Sequence, residues 1–148
     1  MRIALAADHA GYQLKDELAQ WLRDAGHEVS DLGTNGPDSV DYPEFGIRLA
    51  NTVASGQAER GVVVCGSGIG ISIAVNRNPA CRCARVSEPL SAALAREHND
   101  ANVLALGARL IGADMAKACV EAFLGTDFAG GRHQRRVDQL SQLLQESD

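Results

Sequence analysis

Gly61-Val62-Val63-Val64-Cys65-Gly66-Ser67-Gly68-Ile69-Gly70-Ile71 is the stretch that decides the fold. Val62 to Cys65 carries no charged side chain and three β-branched ones, which suits a strand buried on both faces. Gly66, Gly68 and Gly70 then turn the chain within five residues. From Ile71 to Asn76 a helix begins. Strand, glycine turn and helix in that order open a β-α unit of a parallel sheet.

The same order recurs on both sides of this stretch. Upstream, Arg2 to Ala7 reads as a short buried strand, and Tyr12 to Ala25 as a helix with Leu14, Leu18, Trp21 and Leu22 on one face and Gly26 as its C-cap. Glu28 to Leu32 is a second strand. Gly33 to Asp41 is a loop around Gly36-Pro37-Asp38, and Pro43 to Ser55 is a helix that starts on a proline, where a missing N–H costs nothing. Downstream, Cys81 to Val86 is a strand, Pro89 to His98 a helix, Asn102 to Leu106 a strand and Gly112 to Leu124 a helix. Arg132 to Gln145 is a last, more polar helix. The alternation predicts a three-layer α/β fold, Rossmann-like or flavodoxin-like, with a parallel five-stranded sheet and helices on both faces. Residues 1–148 form one domain in this reading, with no internal repeat.

The totals exclude several classes. A net charge of -5 argues against non-specific nucleic-acid binding, and no apolar run is long enough to span a bilayer. The first residues are broken by Asp8-His9 and lack the form of a signal peptide. The four cysteines, Cys65, Cys81, Cys83 and Cys119, include no CxxC pair, and a cytoplasmic location with reduced thiols is expected. Cys81 and Cys83 would alternate faces of their strand. The four histidines are scattered without metal-ligand spacing, so no metal or cofactor is expected.

In parallel sheets ligands bind beyond the carboxyl ends of the strands. Asp8-His9 and Cys65 to Gly70 fall there. Cys65 ends a buried strand ahead of close-approaching backbone and a helix N-terminus, a setting that binds anions and stabilises a thiolate. The alternative is a buried, inert cysteine, and position alone does not separate the two. The loop lacks the last glycine of G-x-G-x-x-G, the Gly-Lys-Ser/Thr of a P-loop, and the arginine of a C-x5-R phosphatase, since position 71 is Ile. A small oxyanion site remains. Asp8-His9 can bind hydroxyls and phosphate, or form a turn with Asp8 as helix N-cap. His98, before Asn99, is either an acid/base or a cation at a helix end. Arg132 and Arg136 share a helix face after Gly130-Gly131, and Arg109 follows the last strand; guanidinium groups grip phosphate, but a solvated basic face gives the same letters.

Taken in order, the motifs resemble the ribose/galactose isomerase family, in particular its type B ribose-5-phosphate isomerases. They are Ala7-Asp8-His9-Ala10-Gly11, Asp31-Leu32-Gly33-Thr34, Val40-Asp41-Tyr42-Pro43, Cys65 to Ala74, Arg96 to Arg109, and Gly130 to Val137. The resemblance implies an aldose–ketose isomerase working through an enediolate without cofactor or metal. It implies Cys65 as the base moving a proton between C1 and C2, and Gly66, Ser67, Gly68, Ile69 and Gly70 as the loop that stabilises the enediolate. It implies His98 in ring opening, Asp8 and Asn99 on sugar oxygens, Tyr42 lining the sugar site, and His9, Arg109, Arg132 and Arg136 on phosphate. The family's site lies between two chains, so a homodimer or dimer of dimers is implied, with the helix of about 132–145 reaching the partner. Some relatives carry Thr for Ser67, and one branch lacks the cysteine and has Glu at the position of Ile71; this chain follows the cysteine branch. Allose 6-phosphate and galactose 6-phosphate are the alternative substrates. A non-catalytic flavodoxin-like binding module is the competing class.

Overall fold

Continuously buried central strands build the sheet of the computed structural model, which describes residues 1–145, with side chains to residue 141. The strands are β1 (Arg2–Ala7), β2 (Glu28–Asp31), β3 (Arg60–Cys65), β4 (Cys83–Arg85) and β5 (Val103–Gly107). The helices are α1 (Tyr12–Asp24), α2 (Tyr42–Ala54), α3 (Ile69–Val75), α4 (Pro89–Asn99), α5 (Ala113–Gly125) and α6 (Arg132–Gln145). All strand pairs are parallel, in the order β2-β1-β3-β5-β4. The expected three-layer α/β architecture is therefore present. That β5 inserts between β3 and β4 is a property of the crossovers, which no local pattern encodes.

Successive side chains of a strand point to opposite faces, and the core splits accordingly. Ile3, Leu5, Val62, Val64, Leu104 and Leu106 pack with Leu18 and Leu22 of α1, Ala92 of α4, and Val120 and Phe123 of α5. Ala4, Ala6, Val63, Cys65, Val103 and Ala105 pack with Phe45, Leu49 and Val53 of α2 and Ile71 and Val75 of α3. Each β-α connection returns its helix antiparallel to the strands, so helix C-termini lie at the amino edge of the sheet. Helix α6 packs against α4 with Val137 turned inward. Among the described residues no helix is long and apolar enough to cross a membrane.

Three expectations need correction. Strand β4 is shorter than Cys81 to Val86: only Cys83 to Arg85 pair in register with β5, and side chains share in holding the backbone at its start. Asn102 Oδ1 accepts from Arg82 N–H at 2.8 Å and Asn76 Oδ1 accepts from Cys83 N–H at 2.7 Å. Cys81 thus precedes the strand, and it packs into the same half of the core as Cys83 rather than the opposite one, because side chains two residues apart on extended backbone share a face. Asp8 does not N-cap α1, whose N-cap is Gly11. Instead its Oδ1 accepts from Ala10 and Gly11 N–H at 3.0 and 3.1 Å and fixes the turn before the helix. Helix α3 begins at Ile69, two residues earlier than expected, so the glycine turn is tighter.

Lys15 is the unexpected core residue. It lies on the buried face of α1 with Leu18, Ala19 and Leu22, and is 0% exposed. Its ammonium donates to Asp31 and Asp16 at 2.7 Å and to Asn35 Oδ1 at 3.0 Å. A buried charge needs such partners. The cluster ties α1 to the loop after β2, which continues to Val40 and Tyr42.

Candidate active site

Cys65 ends β3 at the carboxyl edge of the sheet, 4% exposed, and its Sγ accepts from the Gly68 N–H at 3.1 Å. Gly68 reaches that position with φ +76°, and a Cβ there would meet the Leu106 carbonyl carbon at 2.8 Å. Only glycine satisfies both demands. Ser67 Oγ accepts from Ile69 N–H at 3.1 Å, and Ser72 Oγ–H donates to Ile69 O at 2.6 Å, so both hydroxyls brace the turn. Helix α3 has only seven residues. What the loop offers is a set of individually aimed amides rather than a long helix dipole.

Around this loop lies a cleft of about 370 Å³ lined by Asp8, His9, Ala10, Tyr42, Cys65, Gly66, Ser67, Gly70, Arg109 and Leu110. Arg109 lies across Gly66, its Nη1 3.2 Å from where a Cβ would sit, and its N–H donates to Gly66 O at 3.0 Å. The Tyr42 ring closes the opposite side; a Cβ on Gly70 would come within 2.7 Å of it. His9 Nδ1 accepts from the Val40 N–H at 3.2 Å, which leaves Nε2 as the ring's donor. A sulfur, two cationic or N–H donors and loop amides thus share one cleft.

The remaining expected residues lie elsewhere in the chain. His98, Asn99 and Arg136 line a second cleft of about 290 Å³ with His133, Val137 and Leu140. Its position follows from α4, whose C-terminus is at the amino edge of the sheet: Arg82, just before β4, donates to the Asn99 and Asp100 carbonyls at 3.1 Å. Within one chain, Cys65 and His98 are separated by about the length of a five-residue strand, roughly 17 Å. Arg132 is exposed at the start of α6. Ile69 is also exposed, beside the cleft's glycine loop.

Sequence reasoning missed His133. Its ring stacks on His98, with centroids 4.5 Å apart and planes 14° from parallel. Desolvation first, then the neighbouring His98 and the Arg132 and Arg136 guanidiniums, hold its imidazole below the usual range. No local signal marks the pair, because the two rings come from helices far apart in the chain. The other cysteines carry no comparable surroundings. Burial pushes the Cys81, Cys83 and Cys119 thiols up, which keeps them protonated and inert. Among the described residues no three His, Cys, Asp or Glu side chains converge as a metal cage would require.

Known proteins share this fold over nearly the whole chain. The Ribose/Galactose Isomerase family matches residues 3–140. Ribose-5-phosphate isomerase B of Escherichia coli is 44% identical over 144 residues, 97% of each chain. The solved ribose-5-phosphate isomerase B of Clostridium thermocellum superposes with a TM-score of 0.98 at 47% identity, covering 100% of both chains. The Mycoplasma genitalium enzyme, solved with bound ribulose 5-phosphate, superposes with a TM-score of 0.94 at 37% identity, covering 98% of this chain and 97% of that one. With residues 3–140 matched by the family and the fold matched over the full length, the chain belongs to the ribose/galactose isomerase family.

Proposed function

We propose that this protein interconverts D-ribose 5-phosphate and D-ribulose 5-phosphate through an enediolate, with Cys65 as the base. The observation that carries the reading is the Cys65 sulfur held at 3.1 Å by the Gly68 amide, in a cleft that also presents His9 and Arg109. Isomerisation of an aldose to a ketose needs one base that takes the C2 proton and returns it at C1, donors for the oxyanion, and an anchor for phosphate. The Cys65 thiolate removes the C2 proton. Amides of Gly66 and Gly70, in the loop that Gly68 and Ile69 shape, take with the Ser67 hydroxyl the charge that develops on the carbonyl oxygen; Cys65 then protonates C1 while the O2 proton passes to O1. Asp8 and Asn99 hold sugar hydroxyls, Tyr42 walls the sugar, and His9, Arg109, Arg132 and Arg136 grip the phosphate. Binding the unreactive phosphate positions C1 and C2 against the sulfur. His98 assists the opening of the furanose ring.

The complete set requires two chains. What supports this is the separation of Cys65 from His98, Asn99 and Arg136 at opposite edges of one sheet. A homodimer, alone or paired as a dimer of dimers, brings the α4 end and α6 of one copy to the cysteine cleft of the other. The whole chain, 1–148, acts as one domain with α6 as its arm. Because the base must remain a free thiol, a reducing compartment such as the cytoplasm suits the chemistry.

The test is turnover of ribose 5-phosphate beside allose 6-phosphate and galactose 6-phosphate, in the presence of chelator, for wild type and Cys65→Ala. Fast turnover of the pentose, lost by about 10²- to 10⁴-fold in the variant, is expected, with sugar-phosphate binding retained by calorimetry. Full activity in Cys65→Ala would overturn the assignment of the base. Preference for a hexose phosphate would keep the chemistry and change the substrate.

A further inference from the structure

We propose that Arg85 is a positioning residue for the base: its guanidinium holds and polarises the Ser67–Gly68 peptide, so that the Gly68 N–H grips the Cys65 sulfur as a thiolate. Arg85 is the last residue of β4, at the same edge of the sheet as Cys65. Its Nε–H donates to the Ser67 carbonyl at 3.0 Å. That carbonyl and the Gly68 N–H belong to one peptide unit, and the N–H is the donor to Cys65 Sγ at 3.1 Å. The three groups therefore form a single chain from guanidinium through peptide to sulfur.

Hydrogen bonds in series strengthen one another, because a charge on the carbonyl side draws electron density away from the N–H. Arg85 supplies a full charge, and among the described residues no carboxylate pairs with it. The peptide is also held in one orientation. A Cβ on Gly107 would lie 2.6 Å from the Ser67 carbonyl oxygen, so the strand β5 backbone supports that oxygen from below. The positive φ of Gly68 then aims the N–H back at the sulfur.

The inference rests on Cys65 being the base, but its readout does not. Alkylation of Cys65 by iodoacetamide is followed by peptide mass spectrometry across neutral and alkaline pH, with Cys81, Cys83 and Cys119 as internal controls. Arg85→Met is expected to slow Cys65 alkylation about two- to fivefold at neutral pH and to match wild type where the thiol is fully ionised. Its kcat falls and its acidic limb moves to higher pH, while KM for ribose 5-phosphate is unchanged. Arg85→Gln keeps an N–H for the Ser67 carbonyl without the charge and falls between the two. An Arg85→Met protein with the wild-type pH dependence of alkylation, or one impaired in KM alone, overturns the proposal. If Arg85→Met does not fold, wild-type alkylation in Arg85→Gln does the same. Undiminished isomerisation in Cys65→Ala would instead sink the reading of the base and leave the alkylation result standing.

Discussion

Mixing two defective chains tests whether the site is shared. Cys65 sits at the carboxyl edge of the sheet, and Arg136 lines a cleft at the amino edge with His98. Cys65→Ala removes the base and lowers the rate by about 10²- to 10⁴-fold. Arg136→Ala removes a charge-assisted contact to phosphate of about 1.5–3 kcal/mol, which lowers kcat/KM by about 10- to 150-fold. In a two-fold dimer of one chain of each kind, one site carries both substitutions and the other carries neither, so about half the wild-type rate per dimer is expected. Were each site built within one chain, both would stay singly defective, and the heterodimer would run at the mean of its parents, about 5% or less of wild type. Co-expression under two different tags and sequential affinity purification isolates the heterodimer. Initial rates of ribulose 5-phosphate formation at low substrate then decide. A heterodimer verified by native mass spectrometry that runs at the parental mean refutes the shared site.

Two further outcomes follow from buried and stacked groups. Lys15→Met leaves Asp31 without its ammonium; because Asp31 is itself partly exposed, the cost is at the low end for a broken buried pair, about 3 kcal/mol, or roughly 10 °C in Tm by calorimetry. A fall of less than about 2 °C would show that the pair contributes little. His133 has a lowered folded value, so the unfolded chain takes up its proton first, and the fold loses stability as pH drops from the ordinary imidazole range through that lowered value. His133→Phe removes this loss, and its Tm should fall less than that of wild type on acidification; parallel Tm curves would contradict it.

Much of the molecule is legible in the letters because local rules and tertiary demands agree there. Val62 to Cys65 is apolar without interruption because β3 is central and covered on both faces. The glycines after it recur because the backbone must meet other backbone at short range. Lys15 was hidden for the opposite reason: a lysine beside a leucine stripe reads as the exposed flank, and only the distant Asp31 and Asn35 make its burial tolerable. Arg85 was hidden inside a strand, where nothing local says that its donor ends on the Ser67 carbonyl. His98 was recognisable as a chemical group, but its place was not. The edge of the sheet it occupies depends on which way α4 returns, and its ring partner lies on α6.

The sheet's rims have a consequence of their own. Its longest strands, β1 and β3 with six residues each and β5 with five, are interior, while the open edges are β2 with four and β4 with three. So short a rim gives an incoming strand few free backbone groups to copy, which blunts templated growth from chain to chain. Self-association is thereby left to side-chain surfaces, such as the exposed Ile69 and Ile73 of α3 or Leu90 and Leu94 of α4. Contacts of that kind can be strengthened, weakened or re-specified one substitution at a time without disturbing the hydrogen-bonded framework that carries the cysteine loop.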